Sequence, residues 1–190
     1  SVQTLNTSNT ASATAFHQCR VAGSTASDAY FLANINAGQN WSFGLDNSDS
    51  DAFVISSNAT LGTNNVMRAS TAGEVTFPLT SAFLAHMNTT VTNVTGDATV
   101  YTVIFDTEDF DQNADFNLGT SVFTAPVTGK YQFGLGCLIV GGTVINPANM
   151  LLTTSNRTYA TAMPNTTGTA TACMATMGIL VDMDAADTAT

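Results

Sequence analysis

Apolar residues recur at every second position in short blocks along this chain, and clusters of Gly, Asn, Asp and Ser divide the blocks. Residues 29–35, 41–45, 53–56, 99–105 and 131–140 are examples. Successive side chains of a strand point to opposite faces, so a period of two marks half-buried strands. The 3.6-residue period of an amphipathic helix is almost absent, and the expected fold class is all-β. Pro126 and Gly129 bracket one expected turn, and Gly141 and Gly142 another. Residues 81–87 suit either a helical turn or an opening strand.

Residues 71–77 read as the closing arm of a hairpin, after which Pro78 interrupts pairing because it lacks an amide hydrogen. This predicts a boundary near 77–81, with a β-rich module over 1–78 and a second β domain over 79–190. The first module has few strong apolar blocks, and a segment of that size with so thin a core is marginal as a monomer. Burying Trp41, Phe43, Phe53 and Ile55 between identical chains would supply the missing core.

Composition narrows the function classes. Of 190 residues, 44% are hydrophobic but only 9% charged, against about 25% in an average chain. Four Lys and Arg stand against fourteen Asp and Glu, a net charge of −10. Arg20, Arg68, Lys130 and Arg157 are scattered, so no basic stripe exists to displace phosphate counterions, and nucleic acid is excluded as a partner. Anionic membrane surfaces are disfavoured for the same reason. No apolar run reaches the ~18 residues of a membrane span, so no membrane insertion is expected. There is no signal peptide and the chain opens at Ser1, which leads to the expectation that it is processed or part of a longer polypeptide. Cys19, Cys137 and Cys173 are odd in number and lack CxxC spacing, so they read as small buried residues rather than a disulfide framework.

The strongest pattern runs through Phe105, Asp111, Phe116, Phe123, Gly129, Tyr131, Phe133 and Leu135. Phe123 ends one strand, Pro126 to Gly129 turn the chain, and Tyr131, Phe133 and Leu135 alternate onto one face of the next. These spacings match the C1q-domain signature at each position except the last, where Leu135 replaces an aromatic residue. Residues 81–190 thus resemble a C1q/TNF-like domain. The resemblance implies a ten-strand jelly-roll β-sandwich that packs as a closed trimer. It also implies that the last one or two strands lie beyond Thr190 or come from a partner. In the first half, Trp41, Phe43, Gly44, Leu45, Asp46, Phe53, Val54 and Ile55, with the Gly62 and Gly73 turns, resemble a β module of tailed-phage tail fibres. That likeness implies an N-terminal trimeric stalk or head module. Collagen repeats, usual before animal C1q domains, are absent.

Three acidic stretches are candidates for calcium, which takes six to eight oxygen ligands. Asp46, Asp49 and Asp51 share one loop, but the EF-hand spacing is not met and Asx turns explain the same residues. Asp109 and Asp111 lie in a second stretch with Asp106, Glu108 and Asp115, and some C1q-like domains bind calcium. Asp182, Asp184 and Asp187 suit a turn between late strands. No other cofactor is indicated. His17 and His86 have no zinc spacing, and neither a GxSxG elbow nor a phosphate loop occurs, so no enzyme is expected. Tyr30, Trp41, Tyr101 and Tyr159 suit either sugar stacking or core and subunit packing.

Together these readings give the expectation of a homotrimeric phage fibre or appendage protein, located on the virion, that attaches to a host cell-surface glycan or protein. The alternatives are a structural virion protein (a capsid decoration or head fibre), an extracellular filament subunit in contact with other virion or filament proteins, and a secreted C1q-like recognition protein.

Overall fold

A computed structural model describes residues 4–92, 94, 99–140, 148–163 and 172–190. The turn expected at Gly141 and Gly142 lies outside the described residues. The protein is all-β: among the described residues the only helical element is a single 3-10 turn, Asn47–Asp49. The chain divides into two compact units, Ser1–Thr80 and Ser81–Thr190.

The first unit is a five-stranded antiparallel meander of β1 (Ala29–Asn34), β2 (Asn40–Asp46), β3 (Ala52–Ser56), β4 (Asn65–Ala69) and β5 (Val75–Thr76), paired in chain order. Its inward face is made of small and polar residues: Ser42, Asp46, Ala52, Val54 and Ser56, capped by Leu61 and Tyr30. Gly44 sits opposite Tyr30, where a Cβ would strike the backbone of β1, so only glycine lets β1 and β2 approach this closely. Gly62 has φ +84°, and a Cβ there would overlap the Asp46 carboxylate. Ser56 anchors the same corner, accepting from Gly62 N at 3.1 Å and donating to Asn65 Oδ1 at 2.7 Å.

In the second unit, β6 (Phe83–His86) pairs with β7 (Thr107–Asp111) through a bulge at Leu84 and Ala85. The 81–87 stretch is therefore a strand, not a helical turn. The strand expected over 99–105 does not form: these residues run irregularly and mostly exposed. Among the described residues β6 and β7 pair only with each other, and 99–105 joins neither. Its last residue, Phe105, is held by its amide, which donates to Ser121 Oγ at 2.7 Å.

Two ladders follow. β8 (Phe116–Asn117) pairs with β9 (Val122–Thr124), which pairs with β14 (Thr188–Ala189). A bridge from Ala189 to Thr154, with Thr190 N donating to Thr153 O at 2.8 Å, continues this ladder to β11 (Asn149–Thr153). β11 in turn pairs with β12 (Thr158–Ala162). Separately, β10 (Gly129–Val140) and β13 (Ala172–Met183) pair over twelve rungs, from Gly129 opposite Met183 to Val140 opposite Ala172. Side chains from both ladders share one core: Phe116, Phe123, Leu152 and Ala189 meet Phe133, Val181 and Met183. Alternation explains the arrangement, since Phe133, Val181 and Met183 fall on the same face of the β10–β13 pair.

Candidate functional site

The motif from Phe105 to Phe133 folds into a single aromatic cluster. The Phe123 ring lies 5.3 Å from Tyr131 and 5.5 Å from Phe133, the latter edge-on. Phe83 stacks on Phe116 at 4.4 Å and on Phe123 at 5.6 Å, and Phe105 tilts against Phe116 at 6.2 Å. Offset stacks and edge contacts of this kind favour ring quadrupoles beyond simple burial. Tyr131 adds a polar tie, its hydroxyl donating to Val127 O at 2.6 Å across the Pro126 turn. Asp111 accepts from Phe116 N at 2.9 Å and from Asp115 N at 3.2 Å, fixing the bend that delivers Phe116 to the core. Gly129 opens β10 beside Tyr131. The motif residues therefore build a scaffold. Phe83 belongs to the same cluster but not to the sequence motif; its signal was the apolar block around it, whose partners lie more than thirty residues away.

The candidate calcium loops do not gather into a cation cage. Among the described residues no group of three or more His, Cys, Asp or Glu side chains is arranged to hold a metal ion. The carboxylates are committed to other work. Asp46 is buried and caps the 3-10 turn, accepting from Ser48 Oγ at 2.7 Å and from Ser48 N and Asp49 N. Asp49 binds Arg68 in a fork, with Nη2 to Oδ1 at 2.7 Å, and the guanidinium lowers its pKa. Asp51 occupies a turn at φ +60°. Asp109 pairs with His86 at 2.9 Å on an exposed surface. Asp106 accepts from the amides of Asn88, at 2.6 Å, and Thr89; these bonds hold its pKa down at about 2. Asp187 ties the last turn, accepting from Ser155 Oγ at 2.7 Å and Asp184 N at 2.8 Å, which lowers its pKa.

His86 and Asp109 have the orientation of a base and its orienting carboxylate. The contact joins His86 Nδ1 to Asp109 Oδ2 at 2.9 Å. His17 meets Thr4 in the exposed N-terminal segment. The expectation that all three cysteines are buried holds only in part: Cys173 is buried, Cys137 half-buried and Cys19 exposed, its thiol donating to Tyr30 O at 3.3 Å. Among the four aromatics considered for sugar stacking, Tyr30 and Tyr159 pack against cores, while Trp41 and Tyr101 are exposed.

Part of the exposed surface of the second unit is apolar. On the outer face of β10–β13, Leu138 stands opposite Met174, and Val140 and Leu180 are also exposed. Gly134, Gly136 and Gly178 stand between them with the exposed polar residues Gln132 and Thr176, and a Lys130–Asp182 pair at 2.6 Å closes the end of the strip. A shallow, open concavity bounded by Asp115, Phe116, Leu118, Thr124 and Pro126 lies elsewhere on this unit. No helix among the described residues is long and apolar enough to cross a membrane. No family model matches the chain, and no curated protein is significantly similar to it.

Proposed function

We propose that this chain is a subunit of a homotrimeric, non-enzymatic fibre or surface appendage of a tailed phage, which attaches to a host-surface glycan or protein through a C1q-like jelly roll over 79–190. The observation that carries this reading is the aromatic core: residues spaced from Phe105 to Phe133 in sequence are those on which β8, β9 and β10 meet. The ladder order β8, β9, β14, β11, β12 supports a jelly roll, because β14 inserts between strands distant from it in sequence. The open apolar strip on β10–β13 supports assembly, since monomeric soluble proteins rarely leave such strips uncovered. Three copies on one axis would turn weak receptor contacts into firm attachment.

The same strip favours a second reading, a capsid decoration, head fibre or filament subunit whose jelly roll binds neighbouring protein. Cryo-electron microscopy of the native particle separates the two. Threefold density for this chain at the tail, with soluble chain competing for host adsorption, supports attachment. The same trimer on the capsid or along a filament assigns a structural role, and a stable monomer by light scattering sinks both.

A further inference from the structure

The first unit turns its large apolar side chains outward. Phe31, Trp41, Phe43, Leu45 and Phe53 each leave between 39% and 47% of their surface exposed, while Ser42, Asp46 and Ser56 are buried on the other face. The strand registers align these residues in three rungs. Phe31, Phe43, Ile55 and Met67 form one; Ala29, Leu45, Phe53 and Ala69 the next; Ala33 and Trp41 the third. Phe31 and Phe43 already stack at 5.4 Å across β1 and β2. No rung contains a charged or hydrogen-bonding side chain apart from the Trp41 indole.

We infer that this face is the surface on which copies of the chain assemble, each sheet packing against the same face of the others. The inference rests on the homotrimeric part of the proposed function and not on its host-attachment part. Three properties of the face select a second copy as the occupant. The chain carries −10, so copies approach each other most easily across a surface free of carboxylates, and these rungs provide one. An anionic membrane needs a basic rim, which Ala, Leu, Ile and Met do not supply; a saccharide needs a set of hydrogen-bond partners, and the shallow hollow lined by Phe31, Phe43, Leu45 and Phe53 offers His17, Gln18 and the Cys19 thiol, the last already given to Tyr30 O. The area points the same way. With each aromatic side chain offering 150–250 Å² when fully open, the exposed part of this face comes to roughly 500 Å² per copy, or about 1,500 Å² over three copies, the scale of a specific interface.

The test uses the full chain. Phe43→Glu places a carboxylate in the middle rung without touching the buried face, so the isolated sheet should keep its circular dichroism. It is expected to raise the dissociation constant of the assembly at least about tenfold in light scattering. A photo-crosslinking p-benzoylphenylalanine at position 43 should capture β1, β2 or β3 of another copy. A native trimer that keeps its mass with Phe43→Glu and crosslinks elsewhere overturns this inference and leaves the trimeric reading standing. A native monomer overturns both, and a monomer whose Trp41 fluorescence responds to a glycan panel reassigns the face to saccharide.

Discussion

Phe123→Ala probes whether the sequence motif is a scaffold. Phe123 is 3% exposed and touches Phe83, Tyr131 and Phe133. Truncating a buried Phe to Ala loses about 3–5 kcal/mol through lost transfer energy and the cavity left behind. Three ring partners at about 0.5–1.5 kcal/mol each place this site at the upper end, so about 4 kcal/mol is expected. Phe110→Ala is the control: the same change on β7, at a ring 49% exposed and outside the cluster, should cost about 1 kcal/mol or less. Urea denaturation followed by circular dichroism gives both numbers, and hydrogen exchange over Gly129–Val140 localises the effect. If Phe123→Ala does not fold, Phe123→Leu keeps most of the volume and should cost about 1–2 kcal/mol. Equal costs for the Phe123 and Phe110 truncations would refute the claim that the motif is the structural centre of this unit.

Ser42 Oγ is fully buried without a hydrogen-bond partner, whereas Ser56 Oγ has two. Ser42→Ala should therefore be neutral or stabilising by up to about 1 kcal/mol, and Ser56→Ala should destabilise by about 1–3 kcal/mol, both read by thermal unfolding. Asp106 has a folded-state pKa near 2 against an ordinary 3.8, so its contribution is complete above 3.8 and disappears as pH falls through 2. An NMR titration should place its midpoint near 2, and Asp106→Asn should flatten that part of the acid limb; a midpoint near 3.8 would contradict the bonds to Asn88 and Thr89. With a chromogenic disulfide reagent, Cys19 should react first. Cys137, whose thiol pKa is raised by burial and by nearby Cys173, should follow at least about tenfold more slowly, and Cys173 only on unfolding. Cys173 reacting before Cys19 would contradict the fold of β13.

Much of the architecture was written in local pattern. Period-two alternation located β1, β2, β3 and β10, and the Pro126 to Gly129 turn placed Phe123 against Tyr131 and Phe133. Alternation cannot say which of its two faces turns inward. In β2 the larger residues Trp41, Phe43 and Leu45 face out and Ser42 and Asp46 face in; the 3-10 turn bonds Asp46 there, whereas Ser42 Oγ finds no partner. Nor does alternation guarantee a partner: 99–105 has the pattern of a strand but joins no ladder. The aspartates were the least legible. An acidic loop looks alike whether its carboxylates hold a cation or cap turns, and what separates the two here is Arg68, nineteen residues from Asp49 in the chain.

The two units use the same residue type for opposite ends. In the second, Phe116, Phe123 and Phe133 point into a shared core, so losing any of them acts on the folded state of each copy. In the first, Phe31, Phe43 and Phe53 lie on the sheet face opposite a core that Val54, Leu61 and small residues fill, so losing them removes little packing within the copy. On the inferred assembly, the free energy of their exposed part is realised when another copy covers them. A scan of phenylalanine across the chain should therefore divide into two classes: substitutions at 116, 123 and 133 change unfolding at any protein concentration, whereas those at 31, 43 and 53 change a transition that depends on concentration. If both sets behaved alike in dilution, the outward aromatics would be ordinary surface residues, and assembly would have to be sought on the Leu138–Met174 strip instead.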